Sequence, residues 1–326
     1  MSAYKSLFTT VFLLASTLAF AQFTDVINSN RPGKSMAAFS VGKTVIQAEL
    51  GAFMFKEEHE LTNYKANGFG GDLALRYGAL FEQLEFIAEL QYQNEKYTQV
   101  LIDETHSGLK LATIGAKFLL YDPVKNYQQK PNLYSWKANH KFSWRQFIPA
   151  VGIYGGVNFH LSNDIFKRPL IPVDKKMSLR GMLLTQNQFG RFVFVTNVIL
   201  DKFPSNKSID YVITLTHGFN SRWSGFIEGQ GYNGDYYSDV IFRGGAAFLV
   251  YQNIQVDASI GTNLKNTPTI VNGGIGISWR FDANYEDVYL RIPGEKKSKE
   301  EKTKDKKKEK NKKRLDAIEN GEKVKE

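Results

Sequence analysis

Eleven charged residues stand out by where they fall. Glu49, Asp72, Arg76, Glu85, Glu89, Lys117, Arg180, Glu228, Arg243, Asp257 and Arg280 each sit within a stretch of apolar or small residues. Six are acids and five are bases. Brought onto one surface they would neutralise one another as a rigid ladder, or a subset would line a narrow polar path for small solutes. Other chemistry is poorly provided for. RPGKS (31–35) ends like a phosphate-binding loop, but that motif needs glycine at position 28, where Asn28 stands. The histidines His59, His106, His140, His160 and His217 are scattered, with no HExxH and no i,i+4 pair, so no metal or other cofactor is expected. His106 beside Ser107, and His217 near Thr214 and Thr216, come closest to a nucleophile with a base. Their turn and loop settings read as ordinary polar positions, so no catalytic residue is assigned and no enzyme is expected. Cysteine is absent, which removes thiolate sites, disulfides and a lipoprotein anchor.

The elements that carry these charges are two-faced. In QLEFIAELQY, Leu84, Phe86, Ala88, Leu90 and Tyr92 share one face and Glu85, Glu89 and Gln91 the other. In VIQAELGAFM, Ile46, Ala48, Leu50 and Ala52 oppose Val45, Gln47 and Glu49. In NIQVDASIGT, Ile254, Val256, Ala258 and Ile260 oppose Gln255, Asp257, Ser259 and Gly261. Twelve such segments are expected, near 43–55, 69–80, 83–95, 108–120, 146–160, 177–188, 190–200, 209–218, 222–232, 239–251, 253–263 and 268–281. Short connections such as 80–83, 188–191 and 251–253 alternate with longer polar ones at 56–68 and 161–176.

Alternation alone fits a secreted β-sandwich with an apolar core as well as a barrel that turns its apolar face to lipid. Three features favour lipid. The strands have the length to cross a tilted bilayer; Tyr77, Tyr92, Phe159, Tyr211, Trp223, Tyr251 and Trp279 gather near strand ends; and the last strand closes on Phe281. The reading is a 12-stranded antiparallel transmembrane β-barrel over residues 43–281, with the eleven charges facing its lumen. An aromatic end on the last strand suits recognition by barrel-assembly machinery, and outer-membrane lipid is the expected surround.

The ends of the chain set its compartment. Residues 1–21 carry Lys5 as their one charge, an apolar stretch from Leu7 to Phe20, and Ala19-Phe20-Ala21 before Gln22, the layout of a cleaved secretory signal. Export argues against nucleic-acid partners despite a net charge of +9. Much of that excess is local, since residues 295–326 hold 14 Lys or Arg and 9 Asp or Glu. With few apolar side chains, residues 282–326 read as a charged, disordered or helical extension in the periplasm. Residues 22–42 lack strand alternation and are expected to fold into the periplasmic mouth as a plug, with Arg31 pairing lumen acids such as Glu49. The insertion 121–146 interleaves aromatics with bases. Trp136, Lys137, Trp144 and Arg145 are its candidates for docking a periplasmic protein or peptidoglycan, against the plainer reading of an amphipathic belt or lid.

SNRPGKS (29–35), then TVIQAELG (44–51) and LRYGALFEQLEFIAEL (75–90), resemble the Bacteroidota outer-membrane transporters of the MetA-pathway of phenol degradation family, over about residues 25–281. The resemblance implies an outer-membrane barrel that takes up small solutes, aromatic compounds among them. The insertion and the charged tail are less general in that family. They point to the alternative of a structural or accessory barrel in a larger outer-membrane or periplasmic complex.

Overall fold

The computed structural model describes residues 27–123, 147–162 and 164–282. Within them twelve strands close into one barrel. They are β1 (Val45–His59), β2 (Tyr64–Gly78), β3 (Leu84–Gln99), β4 (Ile102–Tyr121), β5 (Ala150–His160), β6 (Met177–Phe189), β7 (Phe192–Phe203), β8 (Ser208–Gly218), β9 (Trp223–Gly234), β10 (Ser238–Tyr251), β11 (Ile254–Asn263) and β12 (Thr269–Asp282). Each pairs antiparallel with its neighbours in sequence, and β12 pairs back on β1, with Val45 opposite Asp282 and Glu58 opposite Thr269. Every strand has a hydrogen-bonded neighbour on each side, so the closed wall leaves no open sheet edge. The expected docking residues Trp136, Lys137, Trp144 and Arg145, the expected secretory signal 1–21 and residues beyond Asp282 lie outside the described residues.

The two faces of the wall are inverted relative to a soluble protein. On β12, Val271, Ile275, Ile277, Trp279 and Phe281 are between 43% and 65% exposed on the outside. Facing inward, Gln47, Glu85 and Lys117 have no exposed surface and Arg76 has 1%. A closed wall that is apolar outside and charged inside buries its apolar face only if lipid covers it. That decides against the sandwich.

Local chemistry tunes the wall. Between β3 and β4 the register shifts, Gln91 facing Leu111 and Tyr92 facing Leu109, so Lys110 is an extra residue on β4. Its Nζ donates to Gln93 Oε1 at 2.9 Å inside the barrel. On the lumen side the ring of Tyr154 lies across Gly115 and Gly156, which face each other on β4 and β5. A Cβ at either glycine would overlap the phenol, so the missing side chains are what let the ring lie flat.

One expectation fails on length. The polar run 56–68 is not a long loop: β1 and β2 continue through most of it and turn at residues 60–63, with Asn63 in the left-handed region at φ 49°. β3 likewise runs to Gln99, which leaves Tyr92 in mid-strand. Above the apolar band these strands are wetted on the outside, and charges pair along β1, Lys56 with Glu58 at 2.9 Å, and across strands, Lys65 with Glu58 at 3.5 Å and Lys96 with Asp103 at 3.1 Å. Polar side chains therefore continue the strands instead of ending them. The connection 161–176 is a long loop, as its sequence implies.

Ile275 is 65% exposed near the middle of β12. Ile275→Arg is expected to destabilise the barrel by about 2–4 kcal/mol, the cost of a cation at mid-depth on a lipid-facing strand. Denaturant unfolding in liposomes measures this. Unchanged stability would remove the lipid assignment of this face.

Candidate functional site: a strap across the lumen

Residues 27–44 enter the barrel at the end where β1 begins and β12 ends, here called the terminal end. Pro32 and Gly33 deny this stretch a ladder of its own, so its backbone groups must find partners on the wall. They find them strand by strand. Ile27 N donates to Gln252 O (3.1 Å) at the β10–β11 turn, and Ser29 Oγ meets Ser278 Oγ on β12 (2.8 Å). Asn30 N donates to Glu49 Oε1 on β1 (3.3 Å), and Lys34 N and Ser35 N donate to Glu228 on β9 (2.9–3.1 Å). On β7, Asn197 accepts from Met36 N (2.7 Å) and donates to Met36 O (2.9 Å), copying a strand partner with one amide. Gln186 on β6 accepts from Ala38 N (3.1 Å), and Glu85 on β3 accepts from Val41 N (3.0 Å). The segment thus reaches both sides of the wall.

Polar contacts run along the whole strap, from Asn28 O on Arg76 to Val41 N on Glu85, and its second half adds apolar packing. From Met36 onward the strap packs on an inward-facing apolar patch: Met36, Ala38 and Phe39 meet Ile87, Leu119, Tyr154, Met182, Leu184, Ile199 and Val212. At the entry to β1, Gly78 lies so close to the Gly42 carbonyl that no side chain fits there.

The wall charges divide according to what they hold. Arg76 bridges Glu49 (2.9 Å) and Glu85 (2.5 Å), and Lys117 reaches Glu85 (3.0 Å), all with side chains at most 3% exposed. Each cation keeps donors for the strap, Arg76 for Asn28 O (2.8 Å) and Lys117 for Phe39 O (2.9 Å) and Ala37 O (3.2 Å). Glu228 also accepts from Thr214 Oγ1 (2.8 Å) and Arg243 Nη1 (2.9 Å). Arg31 does not pair with Glu49, whose carboxylate is taken by Arg76, Gln47 and the Asn30 amide. It pairs with Asp72 on β2 and Asp257 on β11 (3.4 Å) and donates to Ile275 O (3.2 Å). Arg180 lies more loosely between Glu89 (3.7 Å) and Asp201 (3.9 Å), and Arg280 is buried, its amide on Asn253 O (2.9 Å). All eleven charges therefore face inward, and seven of them hold the strap.

The far end carries a second closure that the sequence reading missed. Loop 161–176 brings Arg168 onto Glu57 of β1 (3.0 Å) and Glu95 of β3 (2.7 Å), with its guanidinium 5.7 Å from the ring centres of both Tyr64 and Tyr97. Burial disfavours the charge of Arg168, but its hydrogen bonds to Glu95 and the attraction of Glu57 outweigh burial and push its pKa up. Phe166 sits edge-on to His106, and Lys110 lies 5.8 Å above its ring. His106 turns to Glu104 (3.1 Å) and Glu95, and His160 to Ser178 (3.1 Å). Among the described residues, no cluster of His, Asp and Glu is placed to hold a metal ion.

Apolar outside, charged inside and crossed by its own N-terminal segment, the molecule is a porin-like outer-membrane β-barrel. The chain belongs to the family described as Putative MetA-pathway of phenol degradation, whose profile matches residues 29–281 and so takes in the strap from Ser29 onward. Among solved structures it is similar to an outer-membrane channel from Pseudomonas putida F1, at 11% identity and a TM-score of 0.52, over 78% of this chain and 100% of that one. It is also similar to the translocator domain of the autotransporter NalP from Neisseria meningitidis (8% identity, TM-score 0.44, 77% and 90% of the two chains). A third is the CymD monoaromatic hydrocarbon channel (10% identity, TM-score 0.40, 73% and 88%). At these identities the likeness is one of fold. No curated protein sequence matches the chain.

Glu228 is the strap's most heavily used anchor. Glu228→Ala leaves two strap amides and Arg243 without their acceptor, a loss of about 3–5 kcal/mol where a buried charge is stranded. The strap should loosen at that point, and trypsin should cut after Lys34 in folded, liposome-embedded protein. Wild-type protein should resist. Equal cleavage of the two would mean that Glu228 does not hold the strap.

Proposed function

We propose that the protein is an outer-membrane channel for small solutes, aromatic compounds among them, kept closed by the strap at its terminal end and by loop 161–176 at its far end. In this reading the terminal end faces the periplasm, because an even number of strands returns the chain to the side on which it started. The observation that carries the proposal is the strap itself. A barrel built only as a scaffold has no use for a separate segment, bonded to both sides of its wall, whose removal would open a bore. The wall behind the strap combines charged side chains with the apolar patch of Ile87, Leu184, Ile199 and Val212. A solute with a ring and a polar substituent finds partners for both parts there, which agrees with the family's description.

The second reading, a structural or accessory barrel, draws on the packing of Met36, Ala38 and Phe39 into that patch as though into a core. Partners such as a periplasmic protein or peptidoglycan would then bind through 121–146 and the charged tail. Planar-bilayer conductance of refolded protein separates the two. The full chain should conduct weakly, a deletion of residues 23–35 several-fold more, and the same deletion with Arg168→Ala more again. If all three insert as barrels and none conducts, the channel reading fails and the structural one stands.

A further inference from the structure

Arg31 occupies its place as a ligand would. Asp72 on β2 faces Gly51 on β1, Gly51 faces Gly276 on β12, and Gly276 faces Asp257 on β11, so four strands present Asp-Gly-Gly-Asp in one row. The guanidinium lies on the two glycines, where a Cβ at either would overlap it. The aspartates take its two ends, and Ile275 O accepts a further N–H at 3.2 Å. A flat floor with an acceptor at each edge matches a planar cation with diverging N–H groups better than a compact ammonium. Two further observations point to an exchangeable occupant. The side chain of Asp257 has no exposed surface, and its Oδ2 has no hydrogen-bond partner although it is buried beside the guanidinium. At the other edge the side chain of Asp72 is 31% exposed, so the row is open toward the lumen.

We propose that this row is a binding site for planar guanidinium or amidinium cations, filled at rest by the chain's own Arg31 and open to such a solute when the first half of the strap withdraws. The proposal rests on the reading of the strap as a closure, and it names the ligand chemistry of that closure. With Arg31 gone, both carboxylates lose the ion pairs they make in this structure while sharing a partly enclosed site, which disfavours the empty state and favours capture of a cation. Lys34 is the nearby competitor: burial lowers its pKa, and the attraction of Asp72 works against that. Its amide is fixed on Glu228, and an ammonium cannot reach both aspartates with a flat fork.

The test uses the full chain in detergent micelles. Arg31→Ala, alone and with Lys34→Ala, is titrated calorimetrically with methylguanidinium, benzamidine and tetramethylammonium. Saturable binding of the first two is expected, about tenfold or more tighter than that of tetramethylammonium, with none in the wild type, whose site is full. Adding Asp257→Asn should weaken it by about tenfold or more. Gly276→Leu, which fills the floor, gives the same reading should the Asn variant fail to insert. In planar bilayers, methylguanidinium should lower the current through Arg31→Ala. The proposal is overturned if there is no saturable binding, if the three cations bind equally, or if Asp257→Asn and Gly276→Leu leave the affinity unchanged. Binding in micelles without current in any variant would keep the site and remove the channel reading.

Discussion

The interior of a bilayer offers a peptide group nothing to bond with, and the rest of this structure follows from that. Twelve strands must close on one another, so the side chains that alternate along each strand are divided between lipid and lumen with no third choice. Barrel diameter grows with strand number. About eight strands give a bore that wall side chains can fill, and sixteen or more leave an aqueous channel. Twelve lies between, too wide to fill from the wall and narrow enough for one extra segment. The strap is that segment, and it carries the same obligation into the lumen, because its own amides and carbonyls need partners. Glu49, Glu85, Gln186, Asn197 and Glu228 supply them.

This gives the buried charges a reason beyond mutual neutralisation. An enclosed pair such as Arg76 and Glu85 gains little net stability, because desolvation offsets most of its attraction. Here each member has further hydrogen-bonding capacity that is spent on the strap: Arg76 on Asn28 O, Lys117 on Phe39 O, Glu85 on Val41 N. The network therefore fixes where the segment lies, and a shift of the strap by one residue would leave several ionised groups short of partners at once. Positional specificity is the stronger part of its contribution.

Much of the wall was legible in the sequence, and the reason is the period of two. A residue's inward or outward direction depends only on its parity within a strand, and lipid makes the wrong parity costly. That is why Glu49, Glu85 and Asp257 could be placed on the lumen face before any pairing was known. The ends of β1–β4 were not legible, because above the apolar band parity carries little penalty: Lys56, Glu58 and Lys65 are wetted and pair across the rim. The partners of Arg31 were hidden for another reason. Asp72 and Asp257 lie 41 and 226 positions away in sequence and meet only because β12 closes on β1. Asn197 is the lone amide of VFVTNVIL, but its same-face neighbours Val193, Val195 and Ile199 are as apolar as the other face, so parity did not mark it. Arg168 had no signal either, since a loop without periodicity does not say which way it folds.

The two closures differ in extent more than in kind. The loop at the far end is held chiefly by Arg168 on Glu57 and Glu95, side chains at most 14% exposed. The strap is held over its length by polar contacts from Asn28 to Val41, and from Met36 to Phe39 apolar packing is added to them, which water cannot replace. Opening the far end means freeing loop 161–176 from the ion pairs of Arg168, the packing of Phe166 on His106 and the contacts of Asp174 with Lys202 and Asn206, whereas opening the terminal end fully means withdrawing a segment packed along its whole length. Residues 28–35 cover Asp72, Asp257 and Glu228, while Met36, Ala38 and Phe39 cover the apolar patch, so the charged and the apolar surfaces of the lumen lie behind successive lengths of one segment.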